Sequence, residues 1–104
     1  MSKIALFIKT RTQPGKRDEV RRLWENHLKP GAEANPFQEV HVFCFDGADD
    51  NTLCLFEVYS SQEALEQAGQ SPAFAAYLQA VMPLLAGPPD MSMTTPLWAK
   101  GLVL

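Results

Sequence analysis

Residues Phe56-Glu57-Val58-Tyr59-Ser60-Ser61-Gln62-Glu63-Ala64-Leu65, followed shortly by Ser71-Pro72-Ala73-Phe74-Ala75-Ala76-Tyr77, limit the folds open to this chain more than any other segment. Phe56 to Tyr59 alternate in the period-two manner of a strand end. Ser60 and Glu63 have the spacing of a capping box, in which serine accepts from the helix start and glutamate bonds back to the serine amide. A short helix through Ala68 is predicted, ended by Gly69. Ser71 then serves as N-cap and Pro72 as first residue of another helix, where the missing proline N–H costs nothing. A strand running into two short capped helices must find its sheet partners elsewhere in the chain.

Those partners are readable upstream. Ile4, Leu6, Phe7 and Ile8 make a strand over Lys3 to Thr12, stopped by the turn Gln13-Pro14-Gly15. From about Lys16 to Lys29, Val20, Leu23, Trp24 and Leu28 fall on one helical stripe, with His27 at its i+7 place, and Pro30-Gly31 should stop that helix. Gln38 to Phe45 and Thr52 to Tyr59 are strands joined by the turn formers Asp46 to Asn51, so they form an antiparallel hairpin. Val40, Val42, Cys44, Cys54, Phe56 and Val58 share one face; His41, Phe43, Phe45, Leu53, Leu55, Glu57 and Tyr59 share the other. A symmetric loop sets Cys44 opposite Cys54 and His41 opposite Glu57, and a slip of one residue destroys both pairings. Phe74, Tyr77, Leu78, Val81, Met82 and Leu85 stripe the last helix, and a final strand, bent near Pro96 and Gly101, is expected within Ser92 to Leu104.

The order strand, helix, strand, strand, helix, strand is that of an α+β, ferredoxin-like βαββαβ domain with an antiparallel sheet. With 104 residues and 46% apolar content the chain is read as one domain, 1–104, around one core. Helices cover one sheet face only. Both hairpin faces carry large apolar side chains, so the open face calls for a partner, and a two-fold homodimer supplies it.

Other classes recede. Twelve acidic residues against nine basic ones, with no basic cluster, leave no footprint for nucleic acid. The apolar run at Ile4 to Ile8 is too short for a signal peptide or membrane span, so a cytoplasmic protein is expected. Cys44 and Cys54, the two cysteines, read as small core hydrophobes, and no Cys/His spacing suggests a metal site.

With Pro14-Gly15-Lys16 after the first strand, Glu57, Tyr59 and Ser60 at the third strand's end, Ala64-Leu65, and Ser71-Pro72 with Phe74, the chain resembles the antibiotic biosynthesis monooxygenase family from about Ile4 to Leu85. The resemblance implies a dimeric α/β barrel and the oxidation of a small aromatic or quinol-type substrate by dioxygen without flavin, haem or metal. Three positions depart from patterns that relatives carry. Quinol-oxidising members commonly carry histidines where this chain has Ala68 and Ala73. Haem-degrading relatives place a tryptophan and an iron-ligating histidine at about the positions of Ala68 and Tyr77, so haem chemistry is not expected here.

Such a reaction needs a greasy, water-excluding pocket with a base and one or two hydrogen-bond donors. His41 is the first candidate, since a facing Glu57 would raise its basicity; the competing reading is a His–Glu pair at a dimer seam. His27 is the second, against the alternative of a half-buried boundary imidazole. Tyr59, Trp24, Phe74, Tyr77, Trp98 and Glu57 are candidate substrate contacts, although Trp24, Phe74 and Tyr77 also have core spacing. Two other functions stay open on the same scaffold: a dimeric small-molecule-binding or accessory protein, favoured by Ala68 and Ala73, and a small-metabolite isomerase.

Overall fold

The computed structural model describes residues 2–104. Three eight-residue strands make most of the sheet: β1 (Ile4–Arg11), β2 (Gln38–Phe45) and β3 (Thr52–Tyr59). β4 (Asp90–Thr94) completes it in the order β2-β3-β1-β4, with every neighbouring pair antiparallel. The hairpin register is the expected one, Cys44 opposite Cys54 and His41 opposite Glu57. It is interrupted between Gln38 and Val40, where Glu39 is the extra residue of a β-bulge. Glu39 pairs outward with Lys3.

The turn Gln13-Pro14-Gly15-Lys16 is closed by the Lys16 N–H donating to the Gln13 carbonyl at 3.1 Å. Gly15 has φ +75°, the value a turn with proline at its second position asks of its third residue. Helix α1 (Arg17–His27) ends earlier than expected, and Pro30-Gly31 falls inside a second short helix, α2 (Lys29–Ala34). Proline is tolerated there because it occupies the first turn, where no intrahelical partner is lost.

Helix α3 (Gln62–Gly69) is capped by Ser61 rather than Ser60, the hydroxyl accepting from the Ala64 N–H at 3.1 Å. Helix α4 (Pro72–Val81) begins as expected, with Ser71 Oγ accepting from the Phe74 N–H at 3.1 Å. It tightens into a 3-10 turn at Met82–Leu84, around Pro83.

The last strand differs most from expectation. It lies at Asp90–Thr94, and the apolar residues beyond it form no strand; Leu97, Trp98 and Val103 stand exposed. β4 is recognisable by pairing alone, since Met91 and Met93 face Ile8 and Leu6 across from β1.

Helices cover one face of the sheet. Val20 of α1, Leu53 of β3 and Val81 of α4 are fully buried together, joined by Leu23, Phe43, Leu55 and Tyr77. A second cluster, Leu6, Tyr59 and Ala64 with Leu65 and Ala68, packs α3 on the sheet. On the opposite face Ala5 and Val58 are buried, yet Phe7 and Val42 are 53% and 43% exposed. Phe56 packs tilted against Phe7 with ring centroids 4.9 Å apart. Cys44 is exposed and Cys54 half-buried on that same face, so Cys44 is not the core hydrophobe expected of it. No helix among the described residues is long and apolar enough to cross a membrane.

One side chain ties the hairpin loop to the helical layer. Arg17 Nη1 donates to the carbonyls of Asp46, Asp49 and Thr52 at 3.2, 2.9 and 3.1 Å, while its guanidinium lies 4.0 Å above the Phe45 ring. Within the loop, Asp46 and Asp49 accept from backbone amides two and three residues on. Replacing Arg17 by methionine keeps the stem and removes the charged donor. It is expected to cost about 2 kcal/mol and to lower Tm by roughly 10 °C in thermal unfolding followed by circular dichroism. An unchanged Tm would show that the clamp is ornamental.

Candidate functional site

Between the helix-bearing sheet face and the helices lies a cavity of about 460 Å³, within the roughly 300–1,000 Å³ of small-molecule sites. Its floor is the sheet: Leu6 and Ile8 from β1, Met91 and Met93 from β4. His27 and Leu28 come from the end of α1, Ala32 from α2, Leu65 and Ala68 from α3, and Ala73 and Phe74 from α4. Into this apolar space the β2–β3 hairpin brings four polar side chains, Gln38, His41, Glu57 and Tyr59.

Glu57 is 7% exposed, and a carboxylate so placed must be surrounded by donors. Its Oε1 accepts from Gln38 Nε2 at 2.7 Å and from the Tyr59 hydroxyl at 2.8 Å. The second Gln38 amide hydrogen is donated to the Tyr59 oxygen at 2.8 Å, closing a three-membered ring of bonds. Burial, with the charge of Glu57 and its bond to the hydroxyl, pushes the Tyr59 phenol well above its ordinary range. The Tyr59 hydroxyl therefore donates its hydrogen bond to Glu57 and has none to offer a ligand.

His41 takes a different part from the one expected. Its Nε2 accepts from the indole Nε1–H of Trp24 at 3.0 Å, so that nitrogen carries a lone pair and the neutral ring keeps its proton on Nδ1. Nδ1 is buried with no hydrogen-bond partner, 3.8 Å from Glu57 Oε1, too far for a bond. Glu57 was expected to make His41 more basic. Burial outweighs that attraction and holds the imidazole below its ordinary value of 6.5. At neutral pH His41 is a hydrogen-bond donor facing Glu57.

The remaining candidates separate by position. His27 and Phe74 line the cavity. Trp24 does not, standing behind His41 with its ring 4.5 Å from that of Phe43. Tyr77 belongs to the core around Val20 and Leu53, and burial followed by the charge of Glu57 pushes its phenol up to about 12. Trp98 lies on the C-terminal segment, 80% exposed and away from the cavity lining. Lining residues that the sequence did not mark as candidates include Gln38, which strict alternation puts on the opposite face until the bulge at Glu39 turns it over, and Met91 and Met93, whose strand carries little β-forming sequence. No group of three or more His, Cys, Asp or Glu able to hold a metal ion occurs among the described residues.

Sheet order, helix placement and a ligand-sized cavity beneath the helices define a ferredoxin-like α+β domain with an internal cavity. Residues 3–80 match the sequence profile of the antibiotic biosynthesis monooxygenase family, and the chain belongs to that family. A Caulobacter crescentus protein assigned as an antibiotic biosynthesis monooxygenase superposes with a TM-score of 0.87 at 22% identity, covering 93% of this chain and 92% of its own. Rv0793 from Mycobacterium tuberculosis gives 0.84 at 27% identity, with 96% and 100% covered. A similarly assigned protein from Chloroflexus aurantiacus gives 0.83 at 23%, with 96% and 98% covered. No curated protein shows significant sequence similarity to the chain.

The buried imidazole makes folding pH-dependent in a definite direction. A folded-state value below 6.5 means that the unfolded chain binds the proton more readily, so His41's contribution is full above that pH and is lost as pH falls below it. Between about pH 7.5 and about pH 5.5 the wild type should lose more thermal stability than His41→Gln. Parallel melting curves against pH would contradict the neutral, desolvated imidazole.

Proposed function

We propose that this protein is a cytoplasmic, homodimeric, cofactor-independent monooxygenase acting on a small phenol or quinol. The observation that carries the proposal is a polar cluster, the His41 imidazole and the Glu57 carboxylate with Gln38 and Tyr59, set into a largely apolar cavity. Family membership points the same way.

For a phenol oxidised to a quinone the balance is one phenol plus one dioxygen giving one quinone plus one water. A ring C–H carbon becomes C=O with one oxygen atom, the other leaves as water, and all four electrons come from the substrate. The protein must seat the ring, accept the hydroxyl proton, hold the resulting oxygen anion and keep bulk water out. Leu6, Ile8, Phe74, Met91 and Met93 provide the apolar seat. The His41 Nδ1–H is the donor for the oxygen anion, and Glu57 and His27 are the groups at hand to accept the proton. Removing one such donor typically lowers turnover about 10²-fold.

Oxygen uptake by the purified protein with a panel of hydroquinones and polycyclic phenols tests this. Wild type should consume oxygen with at least one of them, and His41→Ala should lose roughly 10²-fold in kcat/KM. Binding without uptake would favour the second reading, a dimeric binding protein. Ala68 and Ala73, which line the cavity, are the observation on its side.

The homodimer rests on the open sheet face, where Phe7 and Val42 are exposed beside Phe56 and Val40. A second copy laid on it buries these apolar groups. Sedimentation should give a dimer at micromolar concentration, and Phe7→Lys should shift it to monomer. A monomeric wild type would contradict the assembly.

A further inference from the structure

We propose that Trp24, which does not line the cavity, makes it selective for a free hydroxyl by fixing the direction of the His41 hydrogen bond. The proposal rests on the function given above only for the aromatic class of the ligand.

An indole N–H can donate and never accept. Held 3.0 Å from His41 Nε2, it leaves that nitrogen no role but acceptor, which sends the ring proton to Nδ1. That Nδ1 is the one buried side-chain polar atom without a partner among the described residues, and His41 lines the cavity. Beside it stands Glu57, an acceptor, with 3.8 Å between Nδ1 and Oε1. Oε1 already accepts from Gln38 and Tyr59, and Oε2 receives no protein hydrogen bond among the described residues, so the carboxylate retains acceptor capacity for a ligand.

A fixed donor next to a fixed acceptor selects the chemistry of what sits between them. Oε1, 3.8 Å from Nδ1, already accepts two bonds, so a ligand oxygen entering as the enclosed imidazole and the carboxylate part would bridge Nδ1–H and the free Oε2. A hydroxyl completes both bonds through one atom, accepting from Nδ1–H and donating to Glu57. A ketone or ether oxygen can accept but brings its lone pairs against Glu57; a bare ring leaves both groups unpaired; a carboxylate sets two anions together. The apolar walls take the flat body of the ligand and ask nothing of its substitution pattern, so discrimination lies at this one atom. Without the indole, Nε2 is free to hold the proton, and Nδ1 then meets the ligand as a second acceptor. Trp24 is thus a positioning residue for specificity.

Calorimetric titration of the full chain with 1-naphthol, 1-methoxynaphthalene and naphthalene reads this directly, without any turnover. Wild type should bind the naphthol about 30-fold more tightly than either analogue, the factor expected when a buried donor and acceptor are left unpaired. Trp24→Phe should reduce that preference to a fewfold while leaving naphthalene affinity unchanged, a pattern that mere loosening of the fold would not give. Glu57→Gln should also lower the preference, because its amide can pair with the ether oxygen. Equal affinity of wild type for the naphthol and its methyl ether would overturn the proposal, as would a preference that survives Trp24→Phe. Selectivity without oxygen uptake would sink the oxygenase and leave this inference standing; oxygen uptake without selectivity would do the reverse.

Discussion

A carboxylate set among leucine, isoleucine and methionine side chains is stable only if it is supplied with donors, and that requirement at Glu57 organises the rest of the site. Taking an unpaired carboxylate out of water costs several kcal/mol, more than a small domain can readily absorb. Gln38 and Tyr59 supply hydrogen bonds, and they can do so only because β2 and β3 run in one register with a bulge at Glu39. His41 is brought into line by the same register and is turned by Trp24 from the other side. Sheet pairing, bulge and helix packing therefore converge on one buried polar cluster, and the cavity around it has its chemistry set by the fold.

The two sheet faces divide the work. On one, helices rest on a core at the Val20 and Leu53 end and leave a cavity at the Glu57 end. The other presents Phe7 and Val42 to solvent, the kind of surface that proteins cover by association. Because β1 and β3 each contribute alternate residues to both faces, a two-fold contact on the open side would stiffen the strands that hold Glu57 and Leu6. Assembly and site would then be coupled through two central strands, without a residue crossing between subunits.

Much of this was legible in the chain. Alternation in β2 and β3, turn formers at Asp46 to Asn51, and the Ser71-Pro72 start of α4 each have a local physical cause, and each was located correctly. The pairing of His41 with Glu57 followed from them. What escaped depends on distant contacts. Gln38 reaches the cavity through a bulge that no local pattern announces, and β4 has the sequence Asp-Met-Ser-Met-Thr, strand-like only because β1 offers a free edge. The more apolar segment around Leu97 and Trp98 looked like the better strand and pairs with nothing among the described residues. His41 lines the cavity, but its basicity is lowered where a facing Glu57 suggests that it is raised: sequence shows the carboxylate opposite but neither the depth of burial nor the indole on Nε2.

The site stands or falls on the protonation pattern of one imidazole. Long-range ¹H–¹⁵N correlation spectroscopy on the ¹⁵N-labelled protein distinguishes a protonated ring nitrogen from a bare one, and with two histidines in the chain His41 is assigned by comparison with His41→Gln. At about pH 7.5 a neutral ring is predicted, with its proton on Nδ1 and a lone pair on Nε2. A proton on Nε2, or a doubly protonated ring at that pH, would contradict the account.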